Sequence, residues 1–210
     1  MQRNTIFSAL LIASVGLLLA SCSNTKLTSS WKPVNTSALA PGNKILVLGI
    51  IREKDIRLRM QMEGFLVDAL KAKGYNAISA YTLYGPKMFG NKDEEAVLGQ
   101  LRNSGIAEVF TISLLDKARE RTYQPGMAYP YSPFWGYYSY MYGRVYDPGY
   151  VSIDTKFFWE SNLYDVSTKK LLYSVQSHST NPSSSADMGK AYSKVVIKNM
   201  EKEGLLAIAK

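Results

Sequence analysis

The residues that could do chemistry in this chain are one cysteine, one histidine and a few closely spaced carboxylates. Cys22 is the only thiol and His178 the only imidazole in 210 residues. A single cysteine excludes an intramolecular disulfide. One thiol and one imidazole are too few soft ligands for a transition-metal cluster. A Ser-His-Asp triad can be drawn on paper around His178, but no G-x-S-x-G accompanies it. Neither phosphate-cradling pattern, G-x-x-x-x-G-K-[ST] or G-x-G-x-x-G, is present. Asp93, Glu94 and Glu95 stand where a helix is expected to begin, and carboxylates there complement the helix dipole. Asp154 and Glu160 fall on one strand face, too far apart to share a proton. A glycosidase-type pair drawn from distant segments stays open. The expectation is a chain with no catalytic residues, no metal and no cofactor.

Cys22 has a better-defined chemistry than nucleophilic attack. It directly follows Leu19-Ala20-Ser21, which ends an apolar run from Ile6 to Ala20. Arg3 precedes that run with no acid near it. Fifteen residues, interrupted by Ser8, Ser14 and Gly16, are short for a membrane span, which needs about 20, but they suit the apolar core of a secretory signal. The order branched aliphatic, small, small, cysteine resembles the bacterial lipoprotein lipobox. That implies cleavage between Ser21 and Cys22, with acylation of Cys22. Each buried CH₂ contributes about 0.8 kcal/mol, so two or three chains make a permanent anchor. Ser23, not Asp, follows the cysteine, which by resemblance to enterobacterial sorting implies the periplasmic face of the outer membrane.

Composition agrees with a folded extracytoplasmic domain. Hydrophobic residues make up 46% and charged residues 20%, so most of the chain can form a core. The net charge of +8 would suggest nucleic acid in the cytosol, but not outside it. Expected partners are the membrane, through the lipid anchor, and an envelope protein or glycan, with no nucleic acid.

Three segments must position whatever Cys22 anchors: a signal peptide over 1–21, a lipidated polar connector over 22–43, and one α/β domain over 44–210. As flexible coil the connector spans about 25 Å end to end. Alternatively, Leu27, Ser29 and Trp31 alternate with polar neighbours and make 26–32 an edge strand. Lys44–Ile51 is predicted as a buried strand. Leu58, Met62, Phe65, Leu66, Ala69 and Leu70 place one apolar face on a helix over 55–73, stopped by Gly74. A second strand is expected over 75–81. A helix then opens at Asn91 with Glu94 as capping-box partner and ends at Gly105, and a strand follows over 107–115. Residues 151–164 alternate, with Val151, Ile153, Phe157, Trp159 and Leu163 on one face, and pair with 170–178 as an antiparallel hairpin. A last helix over 187–202 buries Met188, Tyr192, Val196 and Met200 and stops at Gly204. The sum is an α/β (α+β) domain: a mixed sheet of about five strands with three helices, βαβαβ, then hairpin and C-terminal helix.

Residues 122–150 are the compositional outlier. They hold nine of the fifteen tyrosines, with four prolines and four glycines. Tyrosine joins a large apolar face to a polar tip, which suits interfaces and sugar stacking. Tyr129, Tyr131, Phe134, Trp135, Tyr137, Tyr138, Tyr140 and Tyr142 form the candidate interaction surface. Three readings are open: a self-packed loop covering the sheet, a recognition surface for protein or glycan, and a membrane-inserting hairpin. Aromatics on both faces of 134–142 argue against a lipid-facing strand, which alternates.

The lipobox, Thr28-Ser29-Ser30-Trp31, the strand Lys44–Ile51, Tyr84-Gly85-Pro86 and the run Phe158-Trp159-Glu160-Ser161-Asn162-Leu163-Tyr164-Asp165 resemble uncharacterised Gram-negative envelope lipoproteins. The element order is similar to the amino-terminal domain of the Tol translocation protein, to the curli-secretion lipoprotein and to penicillin-binding-protein activator lipoproteins. The resemblance implies protein-binding work without catalysis, and carries over no functional residue. The resulting reading is a lipid-anchored, non-enzymatic binding or adaptor lipoprotein of the cell envelope. Its alternatives are an oligomeric secretion or pore component and a cell-wall or lipid hydrolase.

Overall fold

A computed structural model describes residues 24–86, 89, 93–123 and 151–207. The signal segment, Cys22 and residues 124–150 lie outside the described residues.

Among the described residues the domain is built on a six-stranded mixed sheet. In chain order the elements are β1 (Thr25–Trp31), β2 (Lys44–Ile50), α1 (Ile56–Ala72), β3 (Asn76–Ser79), α2 (Ala80–Tyr84), α3 (Glu94–Asn103), β4 (Ile106–Tyr123), β5 (Val151–Asp165), β6 (Leu171–Thr180) and α4 (Ser185–Lys202). Strand order is β1-β6-β5-β4-β2-β3. β2 pairs in parallel with β3 and β4, and every other pairing is antiparallel. The expected α/β class with a mixed sheet therefore holds, with one more strand and one more helix among the described residues.

The additional strand is β1. Of the two readings for 26–32, edge strand or free connector, the sheet shows the strand, paired with β6 from Thr25↔Ser179 to Trp31↔Ser174. Only Thr25 is buried in it and Leu27 half-buried, so it is held by its ladder more than by its side chains. The additional helix is α2. The second strand does not run to Tyr81. It ends at Ser79, whose hydroxyl accepts from Thr82 N and caps a five-residue helix. α3 starts at Glu94, capped by Asp93, whose carboxylate accepts from Ala96 N at 2.8 Å. The expected cap Asn91 lies outside the described residues.

The core has two sides because β2 feeds crossovers in opposite directions, to β3 on one flank and, after β3, to β4 on the other. On one face α1 and α4 cover Ile45, Val47, Phe110, Ile112, Trp159, Leu163, Tyr173 and Val175 with Met62, Leu66, Leu70, Met188, Tyr192, Val196 and Met200. On the other, α2 and α3 cover Leu46, Val109 and Val166 with Ala80 and Leu101. Outward residues of β5 and β6, such as Glu160 and Gln176, hydrogen-bond across the strands. Gly74, Gly105 and Gly204 have φ between 69° and 83° at the ends of α1, α3 and α4, where a left-handed residue closes a helix.

Candidate functional site

The sequence-predicted site residues Ser21, Cys22, Tyr129, Tyr131, Phe134, Trp135, Tyr137, Tyr138, Tyr140 and Tyr142 lie outside the described residues. What the structure fixes is where the chain leaves for each group. Thr25, the first residue of β1, is opposite Ser179 near the end of β6. Thr180 of β6 is opposite Lys156 of β5, which is opposite Ala118 of β4. The start of β1, the end of β6, the start of β5 and the end of β4 therefore share one end of the sheet. The ends of the parallel strands β2 and β3 lie there too, since Ile50 pairs with Ser113 and Val47 with Ser79.

Among the described residues, β4 and β5 continue alone past Lys156 through five pairs, Arg119↔Thr155 to Tyr123↔Val151. That two-stranded ribbon extends about 17 Å beyond β6, and residues 124–150 connect its strands. The sequence reading ran the β5 half from Val151 but ended the β4 strand at Leu115, where the register shifts, and so missed the β4 half of this ribbon.

Three cavities open at this end of the sheet. One of about 410 Å³ is lined by Asn24, Thr25, Ser183, Asp187, Lys190 and Lys194. A second, about 450 Å³, shares Pro182 and Met188 with the first and includes Lys117, Phe157 and Asn181. A third, about 310 Å³, is lined by Ile50, Arg52, Leu114, Leu115, Asp116 and Lys117. It lies at the switch point between β2 and β4, where open α/β sheets commonly bind ligands. Shared residues make the three a continuous strip.

The loop bordering the strip is held firmly. Asn181 takes a left-handed φ of 45°, accepts from Thr155 N at 2.7 Å and donates to Asp154 Oδ1 at 2.7 Å. Ser183 and Ser184 donate to Asp187 Oδ2 and hold its carboxyl below the usual carboxylate range. Lys117 Nζ lies 4.8 Å from the Phe157 ring centre, a cation–π distance. Lys156 pairs with Glu120 at 2.6 Å.

A buried polar network sits beneath the same end. Glu63 is fully buried, and its carboxylate accepts from Gly49 N (2.9 Å), Arg59 Nε (2.9 Å), Ser79 Oγ (2.5 Å) and Tyr81 N (2.8 Å). Arg59 donates to Pro86 O through Nη1, while its Nη2 has no partner among the described residues. Four bonds from β2, α1, β3 and α2 converge on one carboxylate, which fixes these elements relative to one another. Sequence reasoning missed it because Arg59 and Glu63, four apart on a helix, look like an exposed pair. The available signal was Gly49, a glycine in an otherwise apolar strand.

The other sequence candidates are not brought together. His178 packs against Phe158 at 6.3 Å, and no hydroxyl or carboxylate among the described residues hydrogen-bonds its ring. Asp154 and Glu160 engage different neighbours, Asn181 and Gln176. Glu94 and Glu95 meet Lys169. Among the described residues no group of three or more His, Cys, Asp or Glu could hold a metal ion, and no helix is long and apolar enough to cross a membrane.

No protein-family model matches the chain. No curated protein sequence matches it. Among solved structures it is similar to the PelC dodecamer from Paraburkholderia phytofirmans, at 16% identity over 88% of this chain and 98% of that one, with a TM-score of 0.44. It is also similar to lipoprotein GNA1162 from Neisseria meningitidis, at 13% identity over 76% of this chain and 99% of that one, with a TM-score of 0.39.

Proposed function

We propose that the chain is a lipid-anchored, non-enzymatic binding or adaptor protein of the bacterial envelope. It is held by Cys22 on the periplasmic face of the outer membrane, with the tyrosine-rich segment as its contact surface. The observation that carries this reading is topological. The start of β1, three residues after Cys22, and the two strands that bound 124–150 share one end of the sheet. The chain toward Cys22 and the chain toward 124–150 leave the domain at that one end, which suits an anchor and a contact surface that work together. The partner chemistry that suits tyrosine-rich, charge-poor sequence is a protein or glycan surface of the envelope.

Inhibiting lipoprotein signal peptidase in the producing cell is the direct test. The expected result is accumulation of the unprocessed chain, with acyl groups on the amino-terminal peptide of the processed form. Normal processing under the inhibitor and an unmodified Cys22 would remove the anchor and the functional reading with it.

A further inference from the structure

We propose that the corner between the β4–β5 ribbon and the starts of α1 and α4 binds an acidic glycan, a chain of sugars that carry carboxylates. The site stands on described residues alone. It depends neither on acylation of Cys22 nor on the tyrosine-rich segment.

The register sorts charge between the two faces of the sheet. Residues directly opposite on paired strands share a face, and neighbours along a strand alternate. Phe157 packs against the core that α1 and α4 cover, so it marks their face. Lys117 is opposite Phe157 and Arg119 is opposite Thr155, which puts both cations on that face. The pairs Asp116↔Phe158, Ala118↔Lys156 and Glu120↔Asp154 take the other face. The three carboxylates of this stretch, Asp116, Glu120 and Asp154, therefore lie across the sheet from Lys117 and Arg119. On their own face Lys156 meets Glu120 at 2.6 Å. Lys117 and Arg119 are exposed and make no ion pair among the described residues. Alternate residues on a strand place them about 6.8 Å apart.

A groove lies in front of these cations. The cavity of about 450 Å³ is lined by Lys117, Thr155 and Phe157 from the strands and by Asp55, Ser184 and Ser185 at the helix starts. Asp55, the one carboxylate in that lining, stands 3.7 Å from Arg52 Nε. Through Pro182 and Met188 the groove continues into the cavity of about 410 Å³, which adds Lys190 and Lys194. These two lysines are exposed and also make no ion pair among the described residues. Asp187, the one carboxylate there, accepts from Ser183 and Ser184. A cleft whose unpaired charges share one sign concentrates ligands of the other sign.

The rest of the lining selects a sugar chain among polyanions. Thr155, Asn181, Ser184 and Ser185 carry hydroxyl and amide groups that both donate and accept hydrogen bonds. Sugar hydroxyls do the same, so a uronate chain can use cations and neutral polar groups together. An acidic peptide offers carboxylates but few hydroxyls.

The full chain in nonionic detergent is titrated by calorimetry with tetragalacturonate, and separately with maltotetraose and with tetraglutamate. Binding of tetragalacturonate and none of maltotetraose is expected. Lys117→Gln with Arg119→Gln is expected to weaken it about tenfold, the scale of losing a hydrogen bond to a charged group. Lys26→Gln with Lys202→Gln removes the same charge elsewhere, since Lys26 is on the Phe158 face and Lys202 ends α4. That variant is expected to keep the full affinity. An equal loss in both variants would mean attraction by net charge alone and overturns the site. Failure of tetragalacturonate to bind, or equal binding of maltotetraose, overturns the ligand class. Tetraglutamate binding as tightly as tetragalacturonate overturns the choice of a glycan over an acidic peptide. None of these outcomes bears on Cys22, whose acylation the peptidase inhibitor tests separately.

Discussion

Two carboxylates show how differently burial treats an acid according to its partners. Glu63 is buried with four donors on its carboxylate oxygens. Removing it in Glu63→Ala strands the Arg59 guanidinium and the N–H groups of Gly49 and Tyr81. Breaking a buried pair this way costs about 3–5 kcal/mol. Urea unfolding is expected to show a lower midpoint at unchanged slope; a shift no larger than that of a surface substitution would show the network to be slack. Glu108 is the opposite case. It is 3% exposed and, among the described residues, has one donor, Asn43 Nδ2 at 2.7 Å, with no partner for Oε2. Burial pushes its carboxyl above the ordinary value of 4.5, Asn43 pulls it back, and Asp165 across the strand pair pushes it up again. Between that ordinary value and the raised one, the folded chain holds more protons than the unfolded chain. This carboxyl's contribution therefore falls as pH rises through that window and stays unfavourable above it. Glu108→Gln is expected to raise the melting temperature at neutral pH and to have little effect below the window. A variant that melts lower at neutral pH would mean that the charge itself is needed there.

At the scale of elements, α1 and α4 press against each other through a glycine. A Cβ on Gly189 would stand 2.9 Å from Phe65 Cδ2 and 3.0 Å from the backbone oxygen of Gln61. The side chain can turn away but the backbone cannot, so Gly189→Ala must separate the helices over a packed layer that includes Met62, Met188 and Tyr192. Overpacking of this kind costs about 1–3 kcal/mol. Chemical denaturation is expected to show that loss, and a neutral effect would mean that the helices slide freely. These two helices are also the elements the sequence shows best, because each buries a continuous 3.6-residue stripe and ends at a left-handed glycine. β1 was half legible. Its alternation is visible, yet Trp31 is 55% exposed and only Thr25 is buried, so burial never singles out strand over coil. α2 was illegible because five residues make too little periodicity and Ser79 reads equally as strand or cap. The candidate site was legible only as composition. Tyrosine content marks 122–150 and the lipobox marks Cys22, but nothing local says that they share an end of the sheet. That follows from strand order, which is set by long-range pairing.

For the whole molecule, the same topology decides how the tyrosine-rich segment can be removed. Tyr123 and Val151 are paired, and 124–150 closes the hairpin between them as a 27-residue connection. Deleting 125–148 leaves Gln124, Gly149 and Tyr150, and three residues with a glycine suffice to join antiparallel strands. Closing three residues in place of 27 lowers the loop entropy cost by about 2 kcal/mol in the flexible-chain limit. If the segment is a contact surface, the shortened chain is expected to keep its circular dichroism and to melt no lower than the full chain. It is also expected to lose whatever envelope protein or glycan co-purifies with the full chain. If the segment is instead a cover for the sheet, the deletion exposes apolar surface that the loop gain cannot offset, and the melting temperature falls. A fall of that kind would sink the contact-surface reading while leaving the anchor intact. If Cys22 is acylated and the segment is a contact surface, its partner is expected to be one that reaches the membrane, because 124–150 joins the domain at the end of the sheet where β1 starts.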